Sequence, residues 1–223
     1  MPPSLVTAAP TLASDTVAQV GAWRRHLHAN PELSFNEAET SKFVEDTLKA
    51  IGGLEIHTPT GRPGPVLAMR ADMDALPITE ETQVPFASTR FGVVHACGHD
   101  GHTAMLLGAA RELVARRDTL CGEVRFLFQH VEETFPGSAD EMVSRGVMDG
   151  VTRVSGAQFH AGTTHNVIPE TAEMVQVVTD VCGADAVTPM RPVMVREDFS
   201  AFQQKAPGTF FFVGAATRYC APR

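Results

Sequence analysis

The nine residues from Val94 to His102 hold the densest group of potential metal ligands in the chain. They carry a thiol, three imidazoles and a carboxylate, and two glycines let the backbone fold closely around a small ion. Cys97 and His99 stand two positions apart, a spacing that does not place both side chains on one helical face. We therefore expect a loop on which they converge. Sulfur and nitrogen ligands together favour zinc or a neighbouring first-row metal.

Further polar side chains follow directly after predicted strands. They are Asp72, Asp74, Glu132, Glu133 and His160. In open α/β sheets, ligands bind outside the carboxyl ends of the strands. We therefore expect these side chains on one rim of the sheet, beside the loop that carries the thiol.

A hydrolytic metal site needs fixed ligands, an open position for water and a general base near that water. The candidate ligands are Cys97, His99, Glu133 and His160. Glu132 is the candidate base, because adjacent side chains at the end of a strand diverge. One glutamate can then bind the ion while the other reaches the water.

More ordinary roles stay open for several of these groups. Paired glutamates are usually solvated helix surface, and a single histidine such as His160 is more often structural than a ligand. Asp72 and Asp74 either cap strand ends or hold a histidine ligand from behind. A covalent mechanism through Cys97 is a further alternative, although no base or orienting group is evident for it. The histidines expected to be structural are His26, His28, His57, His95 and His165.

The elements that must position this site alternate between helices and strands. Helices are predicted from Asp15 to just before Pro31, from a capping box at 34–37 to Gly52, and over 103–116. Apolar runs predict strands at 66–70, 124–128, 157–160 and 209–213, and a second capping box stands at 138–141. This alternation favours an α/β fold whose sheet is covered by helices.

The composition argues against nucleic acid and membranes as binding partners. The chain has 223 residues and a formal net charge of −8, with no cluster of lysine and arginine to match nucleic-acid phosphates or an anionic membrane. Its apolar runs are too short to span a bilayer. Residues 1–14 are predicted to be a disordered lead without the features of a secretory signal. Four widely spaced cysteines favour a reducing cytoplasm over a disulfide framework.

Several motifs in this order resemble the M20 metallopeptidase family. The nearest branch is the amidohydrolases that include hippurate hydrolase, N-acyl-amino-acid amidohydrolases and plant auxin-conjugate hydrolases. The matching segments are 24–33, 70–77, 95–102, 132–133, 166–169, 197–200 and 207–211. Two of them read Asp72-Met73-Asp74-Ala75-Leu76-Pro77 and His95-Ala96-Cys97-Gly98-His99-Asp100.

The resemblance implies a zinc-exopeptidase-like catalytic domain with a central mixed sheet flanked by helices. It also implies two divalent ions, which are zinc, manganese, cobalt or nickel. Cys97 matches the bridging ligand, His99 a ligand of one metal, Glu133 a ligand of the other, and His160 a further ligand. Glu132 matches the catalytic base. The implied reaction is attack of water on the amide of a small N-acyl amino acid.

Two departures from the family pattern carry expectations of their own. Family members have a satellite dimerisation domain after the segment around His160, but only 161–165 separate it here from Asn166. A family-type dimer is therefore not expected. The last metal ligand of the family is a histidine, and no histidine follows Gly214 here. Two alternatives to an active enzyme with two metal ions therefore stay open. The chain binds a single ion, or it is a non-catalytic remnant. We expect three segments. They are the disordered lead at 1–14, the main part of the catalytic domain at 15–165, and a last segment at 166–223 that holds the remnant of the connection back from the satellite domain and the C-terminal part of the catalytic domain.

Overall fold

The computed structural model describes residues 14–52, 62–160, 167–168 and 197–214. Several expectations lie outside these residues. They are the lead up to residue 13, the short connection 161–165, the Asn166 landmark and the tail after Gly214.

Five strands and five α-helices make up the described structure. The helices are α1 (Ser14–Ala29), α2 (Ala38–Ile51), α3 (His99–Ala115), α4 (Ala139–Ser144) and α5 (Ser200–Gln203), with a 3-10 turn at Arg117–Thr119. The strands are β1 (Val66–Asp72), β2 (Glu123–Gln129), β3 (Arg153–His160), β4 (Val167–Ile168) and β5 (Gly208–Gly214). Each predicted helix and strand is present, although its ends differ from the prediction by several residues in places.

The strands form one mixed sheet in the order β2-β1-β3-β5-β4. All neighbours are parallel except β4, which runs antiparallel to β5. Asp72 at the end of β1 pairs with Gln129 at the end of β2, so the segments that follow these two strands leave the sheet at the same edge. The prediction of an α/β fold with a mixed sheet is confirmed.

Apolar side chains cover both faces of this sheet. Successive residues of β2 point to opposite sides, so Leu127 joins one core cluster while Phe126 and Phe128 pack against the other. The first cluster includes Phe199 and Phe202 from the region of α5. The second lies under α2 and α3. Strands buried on both faces are what an α/β arrangement requires.

Both predicted capping boxes are wrong. The hydroxyl of Ser34 donates to Asp74 Oδ2 at 2.7 Å, and α2 begins only at Ala38. The hydroxyl of Ser138 donates to the carbonyl of His130 instead of capping α4. In each case a partner distant in sequence takes the hydroxyl that a local cap would use. The other end of α2 is as predicted, since Gly52 closes it in the left-handed conformation.

A buried polar clamp joins α1 to the first turn of α3. His28 Nδ1 lies 2.8 Å from Asp100 Oδ2, and its Nε2 lies 3.1 Å from Glu80 Oε1. Arg24 Nε donates to the same Asp100 oxygen at 3.2 Å. His28 thus has the structural role expected for it. The hydrogen bond to Asp100, followed by that to Glu80, raises the pKa of His28 against the opposing effect of burial.

The clamp predicts a pH-dependent contribution to stability. Because folding raises the pKa of His28, its contribution is complete below the unfolded value near 6.5 and is lost as pH rises through the folded value. We expect the unfolding free energies of wild type and His28→Gln to differ more at acid than at alkaline pH. Urea unfolding in chelator measures this difference without a contribution from metal. A difference that is constant with pH would contradict the assignment.

No helix among the described residues is long and apolar enough to cross a membrane.

Candidate metal centre

A tight turn at the start of α3 places the thiol and the first imidazole of the site. Gly98 adopts the left-handed conformation with φ of +83°, between Cys97 in the preceding loop and His99 as the first residue of α3. The expectation that both residues lie on a loop is therefore half right. The helix begins four residues before the predicted Thr103. The turn, rather than a shared loop, brings Cys97 and His99 together.

Three of the four predicted ligands converge. One ligand atom each of Cys97, His99 and Glu133 lies within 4.8 Å of the others. His99 Nε2 is 3.6 Å from Glu133 Oε1 and 3.9 Å from Glu132 Oε2. That nitrogen is buried and has no hydrogen-bond partner among the described residues. A buried nitrogen facing a thiol and a carboxylate fits a divalent first-row ion.

Asp74 contacts both His99 and the segment that carries the two adjacent glutamates. Its Oδ1 lies 3.2 Å from Nδ1 of His99, which leaves Nε2 of that ring facing the ligand group. Its Oδ2 accepts the backbone N–H groups of Glu132 and Glu133, each at 2.9 Å, and the hydroxyl of Ser34. This is the role of holding a histidine from behind, rather than that of a strand cap.

Asp72 serves the second imidazole of the cluster. Its Oδ1 lies 2.5 Å from Nδ1 of His102, and its Oδ2 accepts from Arg70 at 2.8 Å. All three side chains are buried. The Oδ2 atom of Asp72 also lies 3.7 Å from Nε2 of His99, so Asp72 adds negative charge next to the ligand group.

The electrostatics show an excess of negative charge that a cation would balance. Burial lowers the pKa of His99, but Asp72 and Asp74 outweigh it and raise the value to about 10. Burial and the neighbouring Glu133 raise the pKa of the Cys97 thiol well above its ordinary value. Without a metal, both groups therefore hold their protons. A divalent ion would displace those protons and take their place.

Glu132 is placed apart from its neighbour. It is only 4% exposed, and burial followed by the charge of Glu197 raises its pKa to about 8. Glu133 is less buried and belongs to the ligand group. A carboxylate whose pKa lies close to working pH suits a general base. The two adjacent glutamates thus differ in environment, since Glu132 lies in a second group of possible ligand atoms, with Glu197 and Asp198. The role of Glu132 as the base stays a prediction.

The fourth predicted ligand is described only by its backbone. His160 is the last residue of β3 and pairs with Gly214 of β5. Because β3 runs parallel to β1, His160 lies at the carboxyl edge of the sheet, the edge from which Asp72 leads to Asp74. Its role as a ligand stays a prediction.

The structure adds a buried ionic group that the sequence reasoning missed. Arg70 is fully buried in β1 and contacts Asp72, Glu197 and Asp198, the last two at 3.0 and 3.3 Å. Its Nε also donates to Gln129 at 2.7 Å. Burial lowers the pKa of Arg70, but these carboxylates raise it above the ordinary value. In the sequence, the signal for this buried ionic group is a charged residue within an apolar strand.

The chain is similar in sequence to known peptidases and amidohydrolases. A family model described as peptidase family M20/M25/M40 matches residues 68–168. An N-acyl-L-amino acid amidohydrolase from Geobacillus stearothermophilus is 57% identical over 66% of this chain and 43% of its own length. Thermostable carboxypeptidase 2 from Saccharolobus solfataricus is 47% identical over 60% of this chain and 37% of its own length.

A solved structure has the same fold. It is the YXEP protein of Bacillus subtilis, described as a dinuclear metal binding peptidase from the M20 family, with a TM-score of 0.75 and 24% identity. The match covers 94% of this chain and 92% of that one. The chain spans less than half the length of the two curated relatives named above. In the sequence of residues 68–168 and in its fold, the chain is therefore similar to members of the M20 peptidase family.

Proposed function

We propose that this chain carries the catalytic site of a metal-dependent hydrolase that cleaves the amide bond of N-acyl amino acids. The observation that carries the proposal is the convergence of Cys97, His99 and Glu133 beside a separate, buried Glu132. The N-acyl-L-amino acid amidohydrolase among the relatives supports the substrate class.

The ligand set proposed for the metal is Cys97, His99, Glu133 and His160. The first three donors lie within 4.8 Å of one another. The family resemblance makes the thiol of Cys97 the candidate bridge between two ions. A bound divalent ion would polarise the amide carbonyl and lower the pKa of water.

Glu132 moves the proton in the proposed reaction. Its carboxylate takes a proton from the attacking water while the new carbon–oxygen bond forms. It then gives that proton to the amide nitrogen as the carbon–nitrogen bond breaks, so that a carboxylic acid and a free amine leave. Burial and the charge of Glu197 raise its pKa to about 8 without metal, and a bound cation would bring that value down towards neutral pH, where a single carboxyl group can act first as base and then as acid.

The proposed substrates are small molecules, and the proposed location is the cytoplasm. Cys97 and Cys121 are unpaired thiols in the structure, which supports a reducing compartment. The carboxypeptidase among the relatives points to the same bond chemistry on a peptide. Comparing N-acyl amino acids with dipeptides therefore separates these two substrate classes.

The experiment is an assay of amino-acid release by the purified full chain. We expect hydrolysis of N-acetyl and N-benzoyl amino acids, its loss in chelator, and its recovery when zinc or manganese is returned. Hydrolysis of dipeptides alone would move the substrate assignment to peptides. No hydrolysis at saturating metal would favour the non-catalytic remnant instead.

A further inference from the structure

The segment that carries the two adjacent glutamates contains a strained residue. Val131, directly before Glu132, has a φ of +52°, in the left-handed region of the backbone. A residue branched at Cβ is a clear outlier there, because its side chain crowds its own backbone. The side chain is also completely buried. Strain of this kind persists only where the surrounding structure holds it, and it concentrates at functional sites.

A buried carboxylate from a distant part of the chain contacts this strained residue. Glu37 Oε1 accepts the backbone N–H of Val131 at 2.8 Å, across 94 positions of sequence. Glu37 stands directly before α2 but makes no side-chain hydrogen bond that caps this helix. It is 5% exposed, and burial raises its pKa against the opposing effect of the bond from Val131. The side chain of Glu37 is thus removed from water and turned towards Val131.

The bond to Glu37 extends a row of backbone contacts along the segment. The N–H groups of Glu132 and Glu133 both donate to Asp74 Oδ2 at 2.9 Å. Three successive N–H groups are therefore held by two buried carboxylates. Asp74 holds the two glutamates themselves, whereas Glu37 holds the residue before them. Because φ and ψ of Val131 set the direction in which the chain enters Glu132, the contact with Glu37 bears on where that side chain points.

We propose that Glu37 is a positioning residue, whose carboxylate holds Val131 in the left-handed conformation and so aims the neighbouring Glu132 at the attacking water. The inference rests on the proposed function, because it assigns a residue to the orientation of the base in that reaction. The role requires an acceptor atom that reaches the N–H of Val131. It does not require the negative charge of the carboxylate.

A purely structural role for Glu37 predicts a different result. Any buried N–H needs an acceptor, and losing that acceptor costs stability. Glu32 provides the matched case, since it is 4% exposed and its Oε2 accepts the N–H of Thr40 at 2.7 Å. That N–H belongs to α2 and not to the segment of the base. Shortening Glu37 or Glu32 to aspartate therefore removes similar buried bonds, of which only the first bears on the reaction.

The test is steady-state hydrolysis of an N-acyl amino acid by the full chain at saturating zinc. We expect Glu37→Asp to lower kcat by about 10-fold or more, because a misplacement of about 1 Å can cost as much as 10²-fold. Glu37→Gln keeps the length and an acceptor oxygen but loses the charge, so it should retain nearly the kcat of wild type. Glu32→Asp should also retain it, while its loss of stability matches that of Glu37→Asp.

Glycine at position 131 tests the link between the two residues. Glycine adopts the left-handed conformation without strain, so the segment depends less on the contact with Glu37. We expect Glu37→Asp to lower kcat much less in a Val131→Gly background than in wild type, a coupling that a double-mutant cycle measures. Equal losses in the two backgrounds would overturn the proposal. A kcat of Glu37→Asp equal to that of Glu32→Asp would overturn it as well.

Hydrogen exchange of the metal-free chain keeps this inference separate from the proposed function. We expect the N–H groups of residues 131–133 to exchange faster in Glu37→Asp than in Glu32→Asp, a result that needs no turnover. Equal exchange in the two variants would show that Glu37 does not hold the segment. Failure of the proposed function shows instead as an absence of hydrolysis by the wild-type chain.

Discussion

Replacement of Glu132 by glutamine is expected to lower kcat on an N-acyl amino acid by about 10²–10⁴-fold, the usual contribution of a positioned general base. Glutamine keeps the shape and hydrogen-bonding capacity of the side chain, but its amide cannot accept the proton of the attacking water. Glu132 is 4% exposed, so the change introduces no new surface. Steady-state kinetics at saturating metal measure the effect.

The pH profile and a matched variant support this reading. Because the pKa of Glu132 is raised to about 8 without metal, the basic form gains population as pH rises. A bound cation would lower that pKa, so we expect kcat/KM of wild type to rise with pH on its acid side. Glu141→Gln, on the exposed face of α4, should leave kcat unchanged. Full activity of the Glu132→Gln variant would show that Glu132 is not the base of the reaction.

Replacement of Arg70 by methionine is expected to reduce the free energy of unfolding by about 3–5 kcal/mol, the range measured when one partner of a buried ion pair is removed. Methionine matches the length of the arginine stem but removes one of the cations that balance Asp72 in a site closed to solvent. Glu197 and Asp198 lose the same partner. Urea unfolding of both chains in chelator measures the change.

The loss should also depend on pH. Burial, opposed by Arg70, already raises the pKa of Glu197 to about 7, and removal of the cation favours its protonated form further. Protonation relieves the uncompensated charge, so we expect a smaller loss at pH 5 than at pH 8. Arg145→Met is the control, since Arg145 forms an exposed pair with Glu141 on α4. A loss below about 1 kcal/mol for Arg70→Met would show that the ionic group is not needed for stability.

The sequence predicted the sheet edge because strand ends can be read from apolar runs. The run 124–128 ends beside Glu132 and Glu133, and 66–70 ends beside Asp72 and Asp74. Parallel pairing of β1 and β2 then brings the four acidic residues to one edge without further information. Glu132 and Glu133 could be found in this way, whereas Cys97 and His99 stand out by their residue types and spacing within 94–102.

What the sequence could not predict depends on partners far along the chain. Ser34 and Ser138 look like helix caps, and only the fold shows that Asp74 and a backbone carbonyl take their hydroxyls. Arg70 is buried because Glu197 and Asp198 return to it from the other end of the domain. The local pattern shows at most a charged residue inside an apolar strand, and it does not show which residues contact that charge.

The predicted start of α3 at Thr103 is wrong for a local reason. A run of histidine, aspartate and glycine has weak helix propensity, which favoured a start at Thr103 rather than His99. The observed start is set by the left-handed turn at Gly98 and by the bond from His99 to Asp74. The helix therefore begins at a residue of the candidate ligand group.

The most direct test of the account is the metal affinity of two adjacent, isosteric variants, Glu132→Gln and Glu133→Gln, measured by equilibrium competition for zinc with a chelator. The central claim is that these neighbours divide their work, one as base and one as ligand. The account predicts that Glu132→Gln binds zinc like wild type, while Glu133→Gln binds at least about 10-fold more weakly. Equal affinities for the two variants would contradict it.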